Sequence, residues 1–63
     1  MDSETREKIL GMLTKSIGRT HYVIAHALNV PPWRASIWLS ELERQGAVAT
    51  YGNGRDYCEW RLT

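Results

Sequence analysis

Residues 22–48, YVIAHALNVPPWRASIWLSELERQGAV, constrain this chain more than any other stretch. They read as a short helix, a tight break, a longer helix and a stop. Ile24, Ala27 and Leu28 have the i, i+3, i+4 spacing of one apolar helix stripe. Asn29 tolerates the left-handed backbone that closes a helix, and Val30, preceding a proline, is pushed to an extended conformation. Pro31 or Pro32 opens the next helix, because a missing N–H costs nothing in a first turn. At about 100° per residue, Ala35, Leu39 and Leu42 then share one face, with Trp38 beside them. Trp33, Ile37, Ser40 and Arg44 take the opposite face, flanked by Arg34 and Glu41 on one side and by Ser36 and Glu43 on the other. Gly46 ends the helix. Two helices across a break of about 3–4 residues form a helix-turn-helix, whose second helix enters a DNA major groove.

The flanking segments support this pair. A first helix is expected from residue 3 or 4 to residue 16, with Asp2 or Ser3 as N-cap and Glu4 and Glu7 favourably placed at the positive end of the helix dipole. Its stripe is Ile9, Leu10, Leu13 and Ile17, with Met12 at the edge. Gly11 costs about 1 kcal/mol against alanine in mid-helix, and Gly18 is the expected stop. Thr20 caps a second helix over residues 21–28, and leaves Tyr22 and His26 on its exposed side. After Gly46, Val48–Tyr51 is β-prone and Gly52-Asn53-Gly54 signals a turn. Residues 57–62 alternate, with Cys58, Trp60 and Leu62 on one face. The expected architecture is α+β: three helices followed by a β-hairpin, a winged helix-turn-helix in a single domain spanning residues 1–63.

Size and composition narrow the function. A chain of 63 residues buries only about 60% of its unfolded surface, so its stability margin is thin. One cysteine, Cys58, forms neither an internal disulfide nor a cysteine-based zinc site. His21 and His26 are five apart, with no third ligand nearby, so no metal is expected. No serine or cysteine has a credible histidine partner, the acids are scattered, and the Gly52-Gly54 turn suits a hairpin better than a phosphate loop. The chain is therefore expected to be no enzyme and to carry no cofactor. No apolar run reaches the roughly 18–20 residues of a membrane span, and the charged MDSETREKIL start is no signal peptide. No membrane partner and a cytoplasmic location are expected. Eight basic and seven acidic residues nearly balance, but six of the eight are arginine, the residue suited to phosphate and guanine.

The order helix, helix-turn-helix, hairpin carries a resemblance. The stretch ILGML…IAHALNV…A…WLSELERQGAV resembles the winged-helix regulators of bacterial fimbrial operons, the FaeA/PapI-like family, without gaps from about residue 8 to residue 48. The piece Leu42-Glu43-Arg44-Gln45-Gly46-Ala47-Val48 is shared with many winged-helix regulators, including those resembling the MarR group, and marks the fold more than the function. The resemblance implies a small transcriptional regulator that binds double-stranded DNA. It further implies a larger DNA-bound partner, the leucine-responsive regulatory protein. The chain departs from the family in a shorter wing without a basic cluster, and in Ser36 where a basic residue is common.

The candidate contacts follow from helix-turn-helix docking. Helix 3, residues 32–45, offers Arg34 in its first turns for a base or phosphate, and Ser36 and Ile37 for base edges. Trp33 has three open roles: capping the corner between helices 2 and 3, packing on DNA sugar or a thymine methyl, or contacting a partner protein. Arg19, Thr20 and His21 lie at the helix 2 N-terminus, which crosses the phosphate backbone. Arg55 sits at the hairpin tip, residues 52–56, expected to act as the wing. The competing expectation is a protein-binding module that uses Trp33 and Ile37 for a homodimer mate or a larger partner.

Overall fold

The computed structural model describes residues 1–52 and 58–63 and has an α+β build, three helices followed by a two-stranded antiparallel hairpin. Helix α1 is Ser3–Gly11, α2 is His21–Leu28 and α3 is Pro32–Arg44; strands β1, Val48–Tyr51, and β2, Glu59–Leu62, pair in the register Val48 with Leu62 to Tyr51 with Glu59. The buried core is Ile9, Leu13, Ile24, Ala25, Ala35, Leu39, Leu42, Val48 and Trp60, so every element contributes to it.

Local signals set the boundaries of α2 and α3. The Val23 N–H donates to Thr20 Oγ at 3.4 Å, the expected N-cap. Asn29 adopts φ 56°, ψ 47°, and the Val30 N–H reaches the Ala25 carbonyl at 3.0 Å. Gly46 repeats this end on α3 at φ 79°, with the Ala47 N–H on the Leu42 carbonyl at 3.0 Å and the Gly46 N–H on the Glu43 carbonyl at 3.0 Å. Each pair satisfies carbonyls that the helix itself leaves open. The expected outer face of α3 is outer: Trp33, Ile37, Ser40 and Arg44 are all exposed, and Ala35, Leu39 and Leu42 are buried.

The first helix departs from expectation. It ends at Gly11, not at residue 16, so Gly11 is a terminal rather than an interior residue. Two i→i−3 bonds, Met12 N–H to the Ile9 carbonyl and Leu13 N–H to the Leu10 carbonyl, tighten its last turn. The carbonyls beyond have other partners. Arg19 Nε donates to the Met12 carbonyl at 3.1 Å, and the Leu62 N–H donates to the Thr14 carbonyl at 2.9 Å. Thr14 Oγ accepts from the Ile17 N–H at 2.8 Å and donates to the Ile17 carbonyl at 3.1 Å, which folds residues 14–17 into a turn. Ile17 is consequently 66% exposed and outside the buried stripe, while Leu13 is still buried.

That turn delivers the chain onto β2. Arg19 and Trp60 exchange both backbone hydrogen bonds, 3.2 Å and 2.8 Å, as an antiparallel bridge. Strand β2 is thus paired on both edges, by β1 and by Arg19. Gly18 is no helix stop. A Cβ there would lie 2.5 Å from Glu59 Cβ, so glycine is what lets this segment approach the strand. In α2 the second buried residue is Ala25, and Ala27, expected in the stripe, is exposed. On a helix the two alanines lie about 80° to either side of the Ile24–Leu28 line, so spacing alone does not choose between them; the tertiary packing buries the Ala25 side.

Candidate nucleic-acid interface

The outer surface of α3 is built by its own periodicity. Burial of Ala35, Leu39 and Leu42 turns the opposite side outward, and places Trp33 (58% exposed) and Ile37 (57% exposed) about one helical turn apart. Arg34 is exposed beside them, its guanidinium carbon 5.2 Å from the centroid of the Trp33 ring. A cation over an aromatic face is attracted by the ring quadrupole. The contact gives Arg34 a preferred position and covers part of the indole. Ser36 is half-buried on the flank. Trp33, Arg34 and Ile37 therefore form one outward-facing group in the first two turns of the helix.

The other expected contacts cluster at the start of α2, and each has structural work as well. Arg19 is exposed, but its Nε is engaged with the Met12 carbonyl and its backbone with Trp60. Thr20 uses its hydroxyl oxygen to accept the Val23 N–H, which leaves the hydroxyl proton for another acceptor. His21 is half-buried, with its ring 4.1 Å from that of Tyr22 and tilted by 33°. Arg55 and Asn53 at the hairpin tip, and Tyr57 at the start of the expected strand, lie outside the described residues.

Charge is distributed unevenly over this framework. Residues 8–40 contain no aspartate or glutamate, and carry Lys8, Lys15, Arg19, Arg34 and two histidines. The acids fall before and after: Asp2, Glu4 and Glu7 on the first helix and its cap, then Glu41, Glu43, Asp56 and Glu59. The chain from the end of α1 to the middle of α3 thus carries only positive or neutral side chains, although the chain as a whole is close to balance. The Asp2 carboxyl is held below the usual value of 3.8, chiefly by hydrogen bonding from the Thr5 side chain and next by the Thr5 backbone N–H at 2.9 Å.

Two exposed features escape periodicity. Tyr22 and Val23 add apolar surface to the first turn of α2. On the hairpin, Arg61 stacks over Tyr51 at 4.5 Å and pairs with Glu59 at 3.4 Å, which covers the outer face of the sheet. Neither the register that brings Tyr51 opposite Glu59, which is wider than a turn at Gly52-Asn53-Gly54 would set, nor the stacking of Arg61 follows from the alternation of residues 57–62. No pocket interrupts the surface of the described residues, and no described helix is long and apolar enough to cross a membrane. The candidate site is therefore a convex helix face with flanking contacts. Comparison with family models, curated proteins and solved structures finds no match to this chain.

Proposed function

We propose that this chain is a winged-helix transcriptional regulator that binds double-stranded DNA. In this reading α3 lies in the major groove, the N-terminus of α2 crosses a phosphate backbone, and the hairpin tip at residues 52–56 acts as the wing. The observation that carries it is the outward group Trp33–Arg34–Ile37 at the leading end of the second helix of a helix-turn-helix, within an acid-free segment. The N-terminal residues of such a helix are those that meet base edges. The modest overall charge of +1 favours an affinity strengthened by a second protein on the DNA. Such a partner agrees with the resemblance to fimbrial regulators, which implies a cytoplasmic bacterial protein working beside the leucine-responsive regulatory protein.

The test is a salt-titrated gel shift with genomic fragments. Binding should weaken with salt, by close to one unit of slope in log K against log salt for each phosphate neutralised. Arg34→Ala should cost about 1–3 kcal/mol of binding free energy. An absence of retarded duplex at low salt, with the folded protein in excess, removes this reading.

A second reading rests on the exposure of Trp33 and Ile37. Both are more than half exposed, and tryptophan is over-represented among the anchors of protein interfaces. A winged-helix module could bind a homodimer mate or a larger protein through this patch. Trp33→Ala and Ile37→Ser would then dissociate the complex and leave the monomer folded by circular dichroism; a strictly monomeric protein that captures no partner removes it.

A further inference from the structure

We propose that the leading half of α3 reads a thymine 5-methyl group on a base pair adjacent to a guanine, with Ile37 and Trp33 on the methyl and Arg34 on the guanine. This deepens the DNA-binding reading above and rests on it. In the major groove the thymine methyl is the one apolar group that base edges present; all other edge groups are hydrogen-bond donors or acceptors. Within the groove, a helix face whose two exposed large apolar side chains are Trp33 and Ile37 is matched best by that methyl. The arginine beside them has a different complement, the O6 and N7 acceptors of guanine, which a guanidinium meets with two parallel donors.

The spacing joins the two contacts. Trp33 and Ile37 are one helical turn apart, a rise of about 6 Å along the axis, so both side chains can close on a single methyl group between them. Arg34 is held 5.2 Å from the centre of the Trp33 ring, so its guanidinium stays against the apolar pair instead of ranging over the surface. A guanine it contacts lies next to the base that the apolar pair contacts. Glu41 and Glu43 come later in α3, and no acid precedes them in the chain back to residue 8. The exposed position of all three side chains permits their replacement without disturbing the core.

The test uses the 63-residue chain and labelled duplexes recovered by selection from a randomised library at low salt, with binding followed by fluorescence anisotropy. In a selected duplex each thymine is replaced in turn by deoxyuridine, which deletes only the methyl, and each guanine by 7-deazaguanine, which deletes only N7. Expected is one thymine, beside a guanine, whose replacement weakens binding about fourfold, the value of one buried methyl-sized group. At the same position 5-methylcytosine should bind tighter than cytosine by a similar factor. Ile37→Ala should reduce the thymine-to-uridine difference and Trp33→Ala with Ile37→Ala should abolish it, Ile37→Ala keeping the guanine dependence, whereas Arg34→Ala should lose the guanine dependence and keep the thymine difference, with all variants folded by circular dichroism. Salt-dependent duplex binding with no sensitivity to uridine, or a difference that survives the double variant, overturns the inference and leaves the DNA reading intact. Failure to recover any bound duplex overturns both.

Discussion

Gly18→Ala tests how the hairpin is fastened to the helices. The new Cβ would sit 2.5 Å from Glu59 Cβ, 2.7 Å from Glu59 Oε1 and 3.2 Å from Cδ. The carboxylate can rotate away, but a Cβ moves only with its backbone. To reach the 3.4 Å at which ordinary contact begins, the two segments must separate by about 0.9 Å. The neighbouring residue, Arg19, holds its bridge to Trp60 with bonds of 3.2 and 2.8 Å, and the longer one does not survive that separation. Each backbone bond is worth about 1 kcal/mol net, and overpacking adds about 1–3 kcal/mol. The stiffer unfolded chain of the alanine variant returns about 0.4–1 kcal/mol. The expected loss is about 1–3.5 kcal/mol, against a total of about 3–9 kcal/mol for a domain of this length. At about 4–8 °C per kcal/mol the melting temperature should fall by about 4–28 °C. Thermal and urea unfolding by circular dichroism measure it, with Gly11→Ala as control: that position has open space at the end of α1 and should change stability by no more than about 0.5 kcal/mol. A double-mutant cycle with Glu59→Gly removes the opposing Cβ and should recover much of the loss as coupling. A Gly18→Ala variant within about 0.5 kcal/mol of wild type, or no coupling to Glu59, would refute the close approach as the reason for glycine.

Other perturbations address separate features. Asn29→Ala places an alanine at φ 56° and should cost about 1–2 kcal/mol, while Asn29→Gly should be close to neutral, both read from urea midpoints. Ile17→Thr should change stability by no more than about 0.5 kcal/mol, whereas Ile9→Ala, fully buried, should cost about 2–5 kcal/mol; equal effects would contradict the early end of α1. Asp2 has a folded pKa below its usual 3.8 because its carboxylate is hydrogen-bonded by the Thr5 side chain and by the Thr5 N–H. Protons therefore bind the unfolded form first, and the contribution of Asp2 is complete above its unfolded value and lost as pH falls below 3.8 through the folded one. The stability difference between wild type and Asp2→Ala should be constant near neutrality and close at acid pH; a difference that grows on acidification would contradict the cap.

The site divides along the same physical line as the fold. The exposure of Trp33, Ile37 and Arg44 was legible, because one helical period fixes both faces of α3 once Leu39 and Leu42 are known to be buried. The second engagement of Arg19 was not. Its guanidinium reaches back seven residues to a carbonyl that is open only because α1 stops early. The position of Arg34 over Trp33 was likewise invisible, since adjacent residues on a helix do not face each other by spacing alone.

The amino-acid sequence by itself determined the elements whose limits are local. Thr20, Asn29, the Pro31-Pro32 pair and Gly46 act on the backbone within a turn of their own positions, and α2, α3 and β1 begin and end where those residues dictate. Only the tertiary structure decided where α1 ends, why Gly18 is glycine, and whether Ala25 or Ala27 is buried. In each case the deciding partner is far along the chain. Leu62 and Arg19 take the carbonyls of Thr14 and Met12, Glu59 lies against Gly18, and the packing buries one of two equivalent sides of α2. Helix propensity favours continuing α1 by only a few tenths of a kcal/mol per residue. The hydrogen bonds and the packing gained by turning the chain onto β2 are larger, and periodicity carries no record of them.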